Sequence, residues 1–291
     1  MSDVDLPGLY RGKINLWVED VLTREYLKLC WNDDPDILFL IAGGHEHVQA
    51  ILAAAQRDGF TNVFGLVDRD FRKSNEPDWM NGSKTFRCFV PDVHEIENFL
   101  IDPDSLAAAE ATTTEWRSNE AIEKELKKLA GELSWWMACR EVIAGFRTQF
   151  REKFLTHPKC PPVDKNTLEW AVEAITTQDW YLELASRTRE ATKAGSVQAR
   201  LEMAQTRLET HLNGDSTTWR TEFSGKELFR YIRGKISTPP PQSHHMSKSQ
   251  LDLDFARSVA EWQVENNQIP QEVTNLRDAL RRRVGLPLLG G

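Results

Sequence analysis

Along the first hundred residues the apolar positions alternate between strand-like runs and helical spacing. Ile14–Val18 (INLWV) is a short apolar run that stops at the acidic pair Glu19-Asp20. Leu22, Tyr26, Leu27, Leu29 and Cys30 then recur at helical intervals. Residues 37–42 (ILFLIA) are uninterrupted in apolarity, the pattern of a strand buried on both faces, and end at Gly43-Gly44. Val48, Ile51, Leu52 and Ala55 mark one face of a second helix that closes at Gly59. A third run, 62–67 (NVFGLV), ends in Asp68-Arg69-Asp70. A fourth, 85–90 (TFRCFV), leads to His94-Glu95-Ile96-Glu97-Asn98 and more helix. Strands separated by amphipathic helices of about a dozen residues predict right-handed βαβ units and a parallel sheet.

From about residue 104 the pattern turns almost wholly helical, with 119–154 and 166–212 rich in Ala, Leu, Glu, Lys and Arg. The proline-containing stretches 157–165 (HPKCPPVDK) and 237–245 (STPPPQSHH) read as linkers or exposed loops. The expected organisation is an α/β core over 1–103 and a helical region over 104–236. That region returns to the core near 224–236, and C-terminal helices follow over 246–291.

Composition narrows the class. With 40% hydrophobic and 27% charged residues, the chain belongs with soluble folded proteins rather than disordered ones. No stretch approaches the roughly 18–20 apolar residues that span a bilayer. The first residues, MSDVDLPGLYRGK, have no apolar segment of the kind a signal peptide needs. Cys30, Cys88, Cys139 and Cys160 form no CxxC pair, which suits reduced thiols in a cytoplasm. A net charge of −8 argues against coating nucleic acid nonspecifically, yet carboxylates that bind metal also count as negative.

The carboxylates carry the chemistry. In a parallel α/β sheet, ligands bind beyond the carboxyl ends of the strands. Glu19 follows the first strand, Asp68 and Asp70 the third, and Glu97 the fourth, so they are expected to converge on one volume. Asp68 and Asp70, two residues apart, would point the same way in an extended segment. Crowded carboxylates repel unless a cation sits among them, and Mg²⁺ takes oxygen ligands and bridges to phosphates. Turn chemistry explains a lone DxD equally well, and helix-dipole compensation explains a lone Glu97. Acids after successive strands are the more specific signal.

In that order the chain resembles a toprim domain, the metal-binding fold of topoisomerases, primases and overcoming-lysogenization-defect nucleases. LWVED at 16–20 matches the strand carrying the glutamate, and VDRD at 67–70 matches the DxD strand. AGGHEHV at 42–48 and HEIENFL at 94–100 resemble the toprim-like nuclease effectors that accompany ABC-type ATPases in bacterial anti-phage defence, the phage anti-restriction-induced system (PARIS). The resemblance covers about the first hundred residues, with a fainter echo near 224–228. It implies a Mg²⁺-dependent (or Mn²⁺-dependent) endoribonuclease toxin cleaving host tRNA, held by an ATPase partner and dimeric when active. It also implies Glu19 as acid/base or ligand, with Asp68 and Asp70 as ligands and Glu97 as a further acidic group. Glu95 is a weaker candidate, and His94 reads as structural. Relatives carry Gly after the strand-one glutamate and Asp four residues beyond it, where this chain has Asp20 and Thr23. Asp20 or Glu25 is then the expected substitute ligand, and one metal is expected rather than two. The alternatives are a DNA nuclease or nickase of the same fold and a non-catalytic module docking on the ATPase.

Ser224 and Glu227 form a capping-box pattern, so a helix is expected to start there. Lys226 then lies in the first turn, where a cation opposes the helix dipole. Lys226, Arg230 and Arg233 share one face opposite Leu228, Phe229, Ile232 and Ile236. That face is either solvated or a phosphate-contacting stripe, with Lys226 stabilising transition-state charge as a late lysine does in the resembling nucleases. Gly43-Gly44 reads as a plain turn or a backbone approach to phosphate. Trp135-Trp136 reads as packing, and Arg281-Arg282-Arg283 as a favourable helix end or an RNA contact.

Overall fold

The structure is a computed structural model, and it describes residues 10–32, 34–72, 79, 86–150, 158–161, 166–187, 193–214, 218–237 and 246–289. Thr85 of the expected fourth strand and most of both proline-rich stretches lie outside the described residues. The chain divides into two compact units, Met1–Ile122 with Gly225–Gly291, and Glu123–Ser224. The α/β core therefore extends past the expected boundary at residue 103 and takes in the C-terminal helices.

In the first unit, β1 (Ile14–Val18) is wholly buried because it lies in the middle of a parallel sheet of order β2-β1-β3-β4. Its neighbours are β2 (Ile37–Ile41) in register Ile14↔Ile37 and β3 (Val63–Leu66) in register Asn15↔Val63. The short β4 (Cys88–Phe89) pairs with β3. The α/β class read from the sequence is what the structure shows. Strand β2 departs from expectation: only Ile37 is buried, and Leu38 to Ile41 are half-buried, because β2 is the sheet edge.

Between these strands run α1 (Val21–Cys30) and α2 (His45–Arg57). Val48, Leu52 and Ala55 of α2 pack with Trp17 and Val63, closing one face of the sheet. After β4 come a 3-10 turn over Ile96–Leu100, α3 (Pro103–Ala108) and α4 (Asn119–Glu132), the last crossing the unit boundary. In the second unit, α5 (Ser134–Phe150), α6 (Leu168–Thr176), α7 (Asp179–Arg187), α8 (Ala194–Asn213) and the short α9 (Trp219–Glu222) make a helical assembly. There Val197, Leu201, Ala204 and Leu208 line the buried stripe of α8. Arg207 bridges Glu141 at 2.7 Å and Glu222 at 3.0 Å. Trp136 is buried with the Arg140 guanidinium 4.9 Å from its ring, the packing role expected of it.

Three further helices belong to the first unit: α10 (Gly225–Ile236), α11 (Lys248–Glu265) and α12 (Gln271–Arg283). A buried polar link fixes α11, since Tyr26 donates to Gln263, whose amide donates to the Phe99 carbonyl and to Ser105. On α12, Arg281 is buried against Asp34 at 2.6 Å and Asp36 at 3.3 Å. Arg283 lies over Trp79, 4.2 Å from the ring. Two of the three arginines in that run thus serve packing within the unit. No helix among the described residues is long and apolar enough to cross a membrane.

Candidate functional site

Parallel strands deliver their carboxyl ends to one edge of the sheet, and the acidic residues sit there. The Glu19 carboxylate accepts from the Asp68 backbone N–H at 3.0 Å, which joins the ends of β1 and β3. Asp68 in turn accepts from the backbone N–H of Ile96 at 3.1 Å, drawing the 3-10 turn onto the same edge. Glu97, inside that turn, is buried.

Lys226 completes the cluster from α10. Its ammonium lies 3.6 Å from Glu97 and 3.7 Å from Asp20. Its position is set by Glu95, whose side chain accepts from the Lys226 backbone N–H at 2.8 Å. The Glu95 side chain also takes the Asn98 backbone N–H, so one carboxylate caps both the 3-10 turn and α10. The close approach requires glycine at 225, because a Cβ there would lie 2.4 Å from the Asn98 backbone nitrogen. The late lysine and the strand-end acids, more than 120 residues apart in sequence, thus meet in one place.

Electrostatics follow from that crowding. Burial, followed by the charges of Glu97 and Glu95, holds Asp68 well above the usual carboxylate range. Burial likewise pushes Glu97 up to about 7, against the opposing pull of Lys226. Glu19 is raised by burial, with the Asp68 N–H pulling it down and Asp70 pushing it up. The same carboxylates, Glu97 foremost, raise Lys226, which keeps it cationic. Four buried or half-buried acids with only partial cationic compensation make a donor set that fits a hard divalent cation.

Asp70 differs from its expected partner. Its φ is +49°, so the extended run ends at Asp70, where the chain turns and the Arg72 N–H donates back to the Arg69 carbonyl; the Asp70 N–H donates to the His94 carbonyl. Asp70, His94 and Glu95 each bring one potential ligand atom within 4.8 Å of the others. His94 was read as structural from sequence, and this grouping gives it a place beside the acids.

Asp20 accepts from the Thr23 N–H at 2.9 Å, so it caps α1 while facing Lys226. Thr23 is buried, and Glu25 pairs with Arg24 at 2.7 Å. Gly43 (φ +85°) and Gly44 (φ +139°) carry a turn that other residues would strain. A Cβ on Gly44 would meet open space, so conformation rather than crowding explains that residue. Arg233 lies 2.7 Å from Asp252, and Arg230 pairs with Glu227 at 3.0 Å and Asp252 at 3.5 Å. The expected basic stripe is therefore tied to carboxylates of its own unit.

Sequence reasoning passed over Arg72. Its guanidinium donates to the Asp68 carbonyl, lies 3.9 Å from Asp70 and contacts the His45 ring at 2.6 Å. Burial and then Arg72 lower His45, which keeps that ring neutral. Arg72 follows a turn with no periodic signal, so nothing in its spacing marked it. A comparison with protein-family models and with curated proteins finds no match for the chain.

Proposed function

We propose that the chain is a metal-dependent phosphodiesterase of toprim type acting on nucleic acid. The observation that carries this reading is the meeting of Glu19, Asp68 and Glu97 with Lys226 at the carboxyl edge of a parallel sheet. Glu19, Asp68, Asp70 and Glu97 hold Mg²⁺ or Mn²⁺, with Asp20 and Glu95 at the margin. When bound, the metal neutralises phosphate charge and lowers the pKa of a water.

The residues themselves account for the rest. Glu19, raised by burial, takes or returns a proton at its carboxylate. Lys226, held cationic by Glu97, faces the charge that develops on the phosphate oxygens. Arg72 supplies a second cation next to Asp70. On the resemblance of its motifs to the PARIS effectors, the proposal extends to host tRNA as substrate, an ABC-type ATPase as restraining partner and a homodimer as active form.

The test is to incubate the purified chain with total tRNA and with plasmid DNA, in Mg²⁺ or Mn²⁺ and in chelator. Metal-dependent cleavage of tRNA is expected, falling by about 100-fold or more in Glu19→Ala. Cleavage of plasmid alone would assign a DNA nuclease. No cleavage of either, or equal cleavage by wild type and Glu19→Ala, would overturn the proposal. A docking module without catalysis is the competing reading, favoured by the Lys226 ammonium already set between Glu97 and Asp20. Calorimetric titration with Mg²⁺ separates them, since a docking patch has no need to bind the ion.

A further inference from the structure

Among the described residues the sheet ends on one side at β2, which pairs only with β1. An edge strand presents a row of backbone donors and acceptors, and folded proteins commonly blunt such edges with Lys, Pro or a bulge. Residues 37–41 (ILFLI) carry no Lys or Pro, and their register with β1 runs unbroken. Leu38 to Ile41 are only half-buried.

The parallel ladder fixes which groups face outward. The Ile14 N–H donates to the Asp36 carbonyl and the Ala42 N–H to the Val18 carbonyl, so 36 and 42 face β1. Backbone directions alternate along a strand, which turns 38 and 40 toward β1 as well and leaves Ile37, Phe39 and Ile41 facing away. The Ile37 N–H is taken by the Asp34 carbonyl at 3.5 Å. What remains outward is the Ile37 carbonyl with both backbone groups of Phe39 and of Ile41, and the described residues give these no backbone partner.

The order of side chains is the same from either end: Ile, Leu, Phe, Leu, Ile. A twofold axis beside Phe39 lays this strand antiparallel on a copy of itself with like facing like, as a closed twofold interface requires. Phe39 then exchanges both its bonds with Phe39 of the second copy, and each Ile41 N–H meets an Ile37 carbonyl, the pattern of an antiparallel ladder. Leu38 faces Leu40 on one side of the sheet and Ile37 faces Ile41 on the other, cross-strand pairs of the kind that stabilise sheets. The charges are compatible. Asp36 falls opposite Ala42 and is already held by Lys13 at 2.8 Å and Arg281 at 3.3 Å.

We propose that β2 pairs antiparallel with β2 of a second copy of this chain about Phe39, joining the two four-stranded sheets into one. A strand from another protein could use the same hydrogen bonds, but it would not call for a sequence that reads alike in both directions. Five residues a side are few beside the roughly 20–30 of a standard stable interface, so a reversible, micromolar association is expected. The pairing uses up the edge on both copies, so assembly stops at two. It gives the homodimer of the proposed function an interface, resting on that reading for the dimer alone and not for its metal chemistry.

The experiment uses the full-length chain. Sedimentation velocity is expected to show monomer passing to dimer between about 1 and 100 µM. Phe39→Lys sets two ammonium groups face to face across the axis and should weaken the dimer by about tenfold or more, with circular dichroism and a thermal melt checking the fold. Phe39→Cys tests the register directly, and it decides the matter if the lysine variant does not fold. Hydrogen-bonded antiparallel partners lie about 5.5 Å apart between Cα atoms, within disulfide reach. Ile41→Cys is the control, because its copy lies about 13 Å away along the strand. A disulfide at 39 under mild oxidation, located by mass spectrometry and absent at 41, is the expected result. A monomer at every concentration overturns the proposal together with the homodimer, and leaves the edge to a strand from another chain. A dimer that Phe39→Lys leaves intact and that forms no disulfide at 39 overturns this pairing while the homodimer stands, and linkage at 41 does the same. Neither result touches the tRNA test, which reads the metal chemistry by itself.

Discussion

Lys226 shows how one side chain organises a site without belonging to its strands. Its ammonium lies 3.6 Å from the buried Glu97, and Glu97 is the largest cause of the raised Lys226 pKa. Removing one partner of a buried pair leaves an uncompensated charge, whose cost is larger than the net worth of the pair. Lys226→Met should therefore lose about 3 kcal/mol of stability at pH 8, read by urea denaturation. The loss should shrink at pH 5.5, because Glu97, pushed up to about 7 even with the lysine present, is then protonated. A loss of the same size at both pH values would mean that Lys226 acts through packing alone. Glu19, Asp68 and Lys226 were legible in the sequence because strand ends and a helix start have local signatures. Arg72 and the double-capping role of Glu95 were not, since both depend on contacts that only the folded chain creates.

Helix α10 carries two glycines with opposite consequences. Gly225 lies against the 3-10 turn, where an added Cβ would meet the Asn98 backbone nitrogen and side chain. Neither neighbour is a flexible chain end, so the helix start itself has to move. Gly225→Ala should destabilise by about 1–3 kcal/mol, the usual range for overpacking, and should displace Lys226 from Glu97. Gly234, an exposed glycine near the other end of the same helix, would place its Cβ in open space. Gly234→Ala should stabilise by roughly 0.5–1 kcal/mol through helix propensity and a less flexible unfolded chain. Thermal melts of the two single variants check the opposite signs, and like signs would contradict this docking of α10. The helix itself was readable from its apolar face, but its docking partner was not. The same holds for β2: an unbroken apolar run signals a strand, yet whether it lies at the centre or the edge depends on strand order.

Across the whole chain, what sequence could reveal was set by distance. The parallel sheet follows from alternating periods within the first hundred residues, and the structure shows it. The assignment of Gly225–Gly291 to the same unit as β1 depends on long-range polar links such as Tyr26 to Gln263, which leave no periodic trace. The carboxylate cluster, joined across the unit by the Glu95 bond to the Lys226 N–H, has a titration that acts on global stability. Glu97 has a folded pKa of about 7 against an ordinary 4.5, so between those values the folded state holds a proton that the unfolded state has released. The unfolded state then binds fewer protons, and stability falls as pH rises through that window, by about 3 kcal/mol from Glu97 alone. Glu19 and Asp68 are shifted in the same direction and add to the fall. Lys226 adds nothing to the slope, because the stability from its raised pKa is fully present at any pH below its unfolded value. In chelator, the difference in stability between wild type and Glu97→Gln should therefore move against the wild type between pH 5 and pH 8. A divalent cation bound by these carboxylates opposes that fall, since it binds their deprotonated forms. At about 100 times its Kd it adds roughly 2.7 kcal/mol at pH 8 and far less at pH 5. Urea denaturation of both proteins at the two pH values, with chelator and with Mg²⁺, measures every quantity in the cycle. A wild-type stability at pH 8 that Mg²⁺ leaves unchanged would remove the metal from this site.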